Sequence, residues 1–217
     1  MTDYTSQITT PAQPNLGNPG EVYDRLFFSQ TLSNIGNYAK RVTNVLGTLF
    51  GPRGGKYLNA PYGAFQDSTD QVAANTTTAY AITFDTTDFS NGITLSNSSR
   101  LNVSQSGIYN VQFSIQFTNT TNASQDVDVW FRKNGTNIDK SNSRFGFAPR
   151  KGVGDPFHTI AAMNFFVSMN ANDYVEIMWR TTDVGVSIEQ YAAGTSPTRP
   201  SIPSAIVTLS FVSNLSV

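Results

Sequence analysis

The chain has 217 residues, a formal net charge of −1, 13% charged residues and no cysteine. That charge fraction is about half the roughly 25% of an average soluble domain, and no basic excess is present to hold a phosphate backbone or an anionic membrane. Disulfides, thiolate metal centres and nucleic-acid binding are therefore not expected, and Asn, Ser, Thr and Gln must supply the polar surface.

Residues 1–17 are polar, carry Pro11 and Pro14, and hold three anchors, Tyr4, Ile8 and Leu16. Such a segment cannot bury enough apolar surface to fold alone, so it reads as a tail or as an extended arm that orders on a partner. Neither a basic n-region nor an apolar h-region is present in it, so a secretory leader is not expected there. No apolar run reaches the ~18 residues of a membrane helix, so membrane insertion is not expected.

A helix is predicted over residues 18–51. Asn18 suits the N-cap, Pro19 the first turn and Glu21 the third position of a capping box, and Gly51-Pro52 is the stop signal. Phe28, Leu32, Ile35, Ala39, Val42, Leu46 and Leu49 are spaced 4-3-4-3-4-3, which is a coiled-coil seam. Leu at a with Ile at d favours three or more strands over a parallel dimer. Gly36, Gly47 and a stripe broadened by Leu26, Phe27, Tyr38 and Val45 leave a second reading open, an amphipathic helix packed on its own or a neighbouring domain. Residues 52–60 form a hinge. Its Gly54-Gly55-Lys56 lacks the spacing and the following Ser or Thr of a phosphate loop.

Residues 61–217 read as short strands at regular intervals, the pattern of a β-sandwich. The clearest is Gly107–Asn119, in which Tyr109, Val111, Phe113, Ile115 and Phe117 alternate with polar residues. Other strands are expected at Tyr62–Ser68, Ala79–Phe84, Ile93–Leu95, Arg100–Val103, Asp126–Lys133, Asn137–Ser143, Phe157–Met169, Tyr174–Thr181, Val186–Tyr191 and Ala205–Ser213. Asn134-Gly135 is a hairpin dipeptide. Two long loops, Asn142–Phe157 and Gly194–Pro203, are expected to be sites of recognition.

The run Leu101, Val103, Gly107, Tyr109, Phe113 and Phe117 resembles the signature of the C1q/TNF-like jelly-roll superfamily. Val127–Ile138 is similar to that family's next hairpin, Asn172–Ile177 to a strand entry in which Asn172 replaces the usual Gly, and Ile206–Phe211 to its closing strand. The resemblance implies an all-β jelly-roll sandwich that forms homotrimers. An Asn/Thr/Ser-rich head of this kind, without Cys or a collagen repeat, resembles virion surface proteins of tailed bacteriophages. That likeness implies a non-enzymatic particle protein, either a capsid decoration or head-fibre protein bound to capsid proteins, or a tail-fibre tip recognising a host glycan. A ligand-binding module outside a virus is the remaining alternative.

Within such a head, Tyr109, Val111, Phe113, Phe117, Trp130, Phe165, Phe166 and Trp179 are expected in the core or at a subunit interface. Phe165 and Phe166 are adjacent in a strand, so one must face the core and the other away from it. Chemistry is poorly supported. His158 is the one histidine and has no nucleophile motif beside it. Asp126 and Asp128 share a strand face and could be paired carboxylates or solvated charges. Asp67, Asp70, Asp85 and Asp88 could gather calcium or simply form turns. No cofactor is otherwise expected.

Overall fold

The computed structural model describes residues 12, 13, 25–50 and 60–213. The arm anchors Tyr4, Ile8 and Leu16, the capping residues Asn18, Pro19 and Glu21, the hinge at 52–59 and the Leu49 side chain lie outside the described residues. The chain divides into two compact units, Met1–Ala60 and Pro61–Val217.

In the first unit α1 runs Arg25–Phe50, about 39 Å at 1.5 Å per residue. Of the expected seam, Phe28, Leu32, Ile35 and Leu46 are each about half exposed, Ala39 is exposed and Val42 is half-buried. Gly36 and Gly47 have nothing within 4 Å of a built Cβ, so packing within the chain does not require glycine at either position.

The second unit is an antiparallel β-sandwich. Its first strands are β1 (Tyr62–Asp67), β2 (Gln71–Val72), β3 (Tyr80–Ala81), β4 (Thr86–Asn91), β5 (Ile93–Ser96) and β6 (Arg100–Val103). The middle of the unit supplies β7 (Gly107–Asn119), β8 (Gln125–Lys133), β9 (Thr136–Asn137), β10 (Ser143–Phe147) and β11 (Phe157–Met169). β12 (Tyr174–Thr181), β13 (Val186–Ile188), β14 (Gly194–Thr195), β15 (Thr198–Arg199) and β16 (Ala205–Ser213) complete it.

Sheet one is ordered β11-β7-β16-β1-β4, with β13 continuing the row of β16 and β2 that of β1. Sheet two is ordered β10-β8-β12-β6-β5, with β9 beside β8 and β3 beside β12. Strictly alternating β7 explains why the sheets stack. Tyr109, Val111, Phe113, Ile115 and Phe117 are all buried on one face, and β8 answers with Val127, Val129 and Phe131. Aromatic rings bridge the sheets: Phe113 to Phe131 at 5.9 Å, Phe117 to Trp179 at 5.7 Å and Phe117 to Phe147 at 5.3 Å. Burial of the Tyr109 phenol pushes its pKa up, and its hydroxyl donates to Gln105 O at 2.7 Å. Gly107 is glycine for a packing reason, since a Cβ there would press on the Phe211 ring and lie 2.8 Å from Ser213 O.

The structure changes three expectations. A strand was not expected at Thr86–Asn91, whose Thr, Asp, Ser and Asn content argues against one; it forms as β4 by pairing with β1. In place of a strand over Asn137–Ser143, the chain turns at Lys140 with φ of 59° and pairs later as β10, inside the expected loop. The Gly194–Pro203 loop contains the two-stranded ribbon β14–β15. The Asn134-Gly135 turn has φ of 48° and 80°, as a two-residue hairpin needs.

Candidate functional site

The two outer faces of the sandwich differ in chemistry. On sheet two, the even-numbered residues of β8 point outward, namely Asp126, Asp128, Trp130 and Arg132, while β12 presents Tyr174, Glu176, Met178 and Arg180. Antiparallel register sets Asp128 opposite Arg180, Trp130 opposite Met178 and Arg132 opposite Glu176. On the other flank β10 sets Arg144 opposite Asp128. Asp128 and Glu176 therefore each lie between two arginines. Asp128 accepts from Arg144 Nε and Arg180 Nε, both at 2.8 Å. Glu176, only 3% exposed, accepts from Arg132 Nε at 2.9 Å, Arg100 Nε at 3.4 Å and the Ser99 hydroxyl at 2.9 Å. The Arg100 guanidinium also stands 4.5 Å over the Tyr174 ring.

This network is saturated. The Arg144 hydrogen bond, opposed by burial and aided by Arg180, holds the Asp128 carboxyl below its ordinary range. A carboxyl held ionised in this way is a poor general acid. Its partner Asp126 faces Gly146 across the β10 pairing. Because the folded-state value is depressed, the stabilisation is present above the unfolded value of about 3.9 and is lost as pH falls through the lowered folded value. Thermal melts should show Asp128→Asn less stable than the parent at pH 7, with the gap closing progressively below about pH 4. A gap independent of pH would contradict the assignment.

The outer face of sheet one carries no Lys, Arg, Asp or Glu on β11, β7, β16 or β1. Three cross-strand rows can be followed through the pairing: Phe166, Asn110, Ser210, Tyr62 and Asn91; then Asn164, Gln112, Thr208, Ala64 and Phe89; then Ala162, Ser114, Ile206, Gln66 and Thr86. Phe166 is 58% exposed and Ile160 57%, with Phe89, Tyr62 and Ile206 also exposed. Tyr62 and Phe89 meet edge-on at 6.0 Å. Asn110 Oδ1 is buried beside this surface without a hydrogen-bond partner among the described residues. Such an uncharged, partly apolar face can bury against a protein surface without desolvating an ion.

At one end of that face His158 Nδ1 lies 2.9 Å from the Thr118 hydroxyl and 2.8 Å from the Tyr191 hydroxyl, and Tyr191 donates to Glu189 at 3.1 Å. The histidine thus ties a loop to the sheet through the Thr118 and Tyr191 hydroxyls. The aspartates considered for calcium each accept hydrogen bonds from protein groups. Asp67 accepts from Thr69 N at 2.7 Å, Asp70 from Gln190 N at 2.8 Å and Asp88 from Gln66 Nε2 at 2.7 Å. Asp85 accepts from the Ser68 hydroxyl, whose hydrogen bond lowers its pKa. No group of three His, Asp or Glu that could hold a metal ion is gathered among the described residues.

The aromatic residues divide by register. Phe165 stacks on Phe131 at 5.1 Å from the inner face while Phe166 points outward. Trp179, 1% exposed, is core, so it offers no platform for a sugar ring. Trp130 lies half-buried on the outer face of sheet two, its indole donating to Asn137 Oδ1 at 2.8 Å. The arginine–acid triads were not expected, although the signal was there: Asp-x-Trp-x-Arg in β8 and Glu-x-Met-x-Arg in β12 present acid and base in the same order, so antiparallel pairing sets unlike charges opposite.

No family model matches the chain, and no curated protein matches its sequence. Among the described residues no helix is long and apolar enough to cross a membrane.

Proposed function

We propose that the chain is a non-enzymatic structural protein of a bacteriophage virion, in which a trimeric C1q/TNF-like jelly-roll head is carried on α1 and attached to the particle by residues 1–17. The preferred place is the capsid, as a decoration or head-fibre protein. The observation that carries this reading is the contrast between the outer faces: sheet two ends in compensated charges suited to water, sheet one in an uncharged face dotted with Phe166, Ile160, Ile206, Phe89 and Tyr62. An exposed surface of that kind belongs against another protein surface.

Strand order supports the jelly roll. Counting the eight principal strands β1, β6, β7, β8, β10, β11, β12 and β16 as one to eight, the sheets read 6-3-8-1 and 5-4-7-2. Only the fourth and fifth are neighbours in sequence that pair directly; the other connections cross between sheets, as interlocked Greek keys do. The helix supports self-association. Leu32, Ile35 and Leu46 expose an apolar seam, and in proteins most helical stability comes from packing such a face against a partner.

The role on the particle has a direct test. An antibody against residues 61–217 should label the surface of purified virions, and a chain lacking residues 1–17 should stay folded yet fail to join them. Unlabelled particles would overturn the virion reading, and undiminished incorporation of the truncated chain would overturn the arm as anchor.

A further inference from the structure

Strand β11 forms one margin of sheet one, and Gln116 settles which of its backbone groups lie on that margin. Gln116 N donates to Ser204 O at 2.8 Å and Glu189 N donates to Gln116 O at 3.0 Å. Even-numbered residues of β7 therefore bond toward β16 and β13, and odd-numbered ones toward β11. The register sets odd residues of β11 opposite odd residues of β7. The N–H and C=O groups of His158, Ile160, Ala162, Asn164, Phe166 and Ser168 thus point away from β7, along an edge that no strand pairs with among the described residues. One side chain reaches these groups there, Lys133 Nζ donating to Ser168 O at 2.9 Å. Ser143 of β10 approaches on the inner side, its hydroxyl 3.0 Å from Met163 Sδ, and leaves the backbone edge open.

Sheets ordinarily guard such an edge with charge, proline, a bulge or brevity. Here β4 carries Asp88 and shifts register against β1 at Ala64/Phe65, β10 is five residues long with Arg144, and β5 is four residues long. None of these devices is found on β11. It pairs with β7 over 13 residues without a register shift, and Phe157–Met169 holds no Lys, Arg, Asp, Glu, Pro or Gly.

Two-fold symmetry fits this edge to itself. When two β11 strands run antiparallel with the axis at Met163, all 13 residues overlap. Ile160 then stands opposite Phe166 of the second copy, and Ala162 opposite its Asn164. The two most exposed apolar side chains of the strand meet each other, and no like charges face one another. Sliding one strand by two residues sets Ile160 and Phe166 against Asn164 and His158, or against Ser168 and Ala162. We infer that β11 pairs edge to edge with β11 of a second copy of this chain, in the register centred on Met163, so that two copies of sheet one become a single sheet. The contact is isologous and cannot close a trimer. It therefore goes beyond the three-fold head proposed above and does not rest on it. Because it uses the edge, the outer face of sheet one stays free for other contacts.

Disulfide mapping tests the register, and because the sequence has no cysteine each introduced thiol is alone in its chain. Full chains carrying Ala162→Cys or Asn164→Cys are oxidised at millimolar concentration, mixed and separately. Both positions are exposed, so folding is not at stake. Residues directly opposite lie about 5.5 Å apart at Cα, within disulfide reach, whereas like positions lie beyond about 7 Å. The mixture is expected to give about fivefold or more linked dimer than either variant alone. Ala162→Pro supplies the second arm. The N–H it lacks faces the margin, so the ladder to β7 is kept, and sedimentation velocity should show it losing the growth in mass that the parent shows between micromolar and millimolar concentration. A mixture that links no more than the separate variants overturns the register. A parent that does not grow, or a proline variant that grows equally, overturns the edge as the contact. A trimeric parent without the mixed cross-link keeps the proposed head and removes this contact, and the mixed cross-link in a parent that never forms trimers does the reverse.

Discussion

Truncating Phe117 to alanine is expected to lower the unfolding free energy by about 3–5 kcal/mol, more than a change at any exposed position. Phe117 is 1% exposed and its ring meets both Trp179 and Phe147, which belong to the opposite sheet. Its backbone is paired on both sides, to Thr159 of β11 and Ile188 of β13, so the strand cannot shift to fill the space. A cavity must remain, and neighbouring rings lose dispersion contacts as well as burial. Against a typical domain stability of about 5–15 kcal/mol this is a large fraction. Chemical denaturation at fixed protein concentration measures it. A loss below about 1 kcal/mol would mean that the two sheets are not held together by this aromatic bridge.

The second large effect concerns assembly. The double variant Ile160→Asp/Phe166→Asp is expected to dissociate the proposed trimer into folded monomers. Both side chains stand on the outer face of β11 and are more than half exposed in the single chain, so two carboxylates cost the monomer little. In an assembled face they would have to be desolvated beside Asn110, Gln112 and Gln116 with no cation on the surrounding strands. The expected weakening is at least a hundredfold, the equivalent of about 2.7 kcal/mol, with an unchanged far-ultraviolet circular dichroism spectrum. Thr94→Asp, on exposed β5 of sheet two, is the charge control and should leave assembly intact. Equal dissociation by both variants would remove sheet one as the contact face.

Much of the sandwich is legible in the sequence because its longest strands, β7 and β11, reach 13 residues each, and the strict period of two from Tyr109 to Phe117 in β7 has no helical counterpart. The adjacent pair Phe165-Phe166 could be assigned to opposite faces, though not to particular ones, because only the pairing with Val111 and Asn110 says which side is inner. Edge strand β4 was hidden because its exposed Thr, Asp, Ser and Asn carry no apolar period; its pairing comes from β1 alone. β10 was displaced for a different reason, since Phe145 and Phe147 alternate with outward Arg144 and Gly146 over only five residues, inside a Gly-, Pro- and Arg-containing stretch that reads as a loop. The candidate surface was illegible for a deeper reason. An uncharged face exists only after register places Asn164, Gln112, Thr208 and Ala64 side by side, residues drawn from four strands far apart in sequence. The same holds for Asp128 between Arg144 and Arg180, where each residue alone resembles an ordinary surface charge.

The proposed self-assembly through sheet one would join these features, and the mass of the species formed is its most direct check. Sedimentation equilibrium of the full chain at micromolar concentration should return three times the 23.6 kDa chain mass. A species of 23.6 kDa that persists as concentration rises would contradict the account.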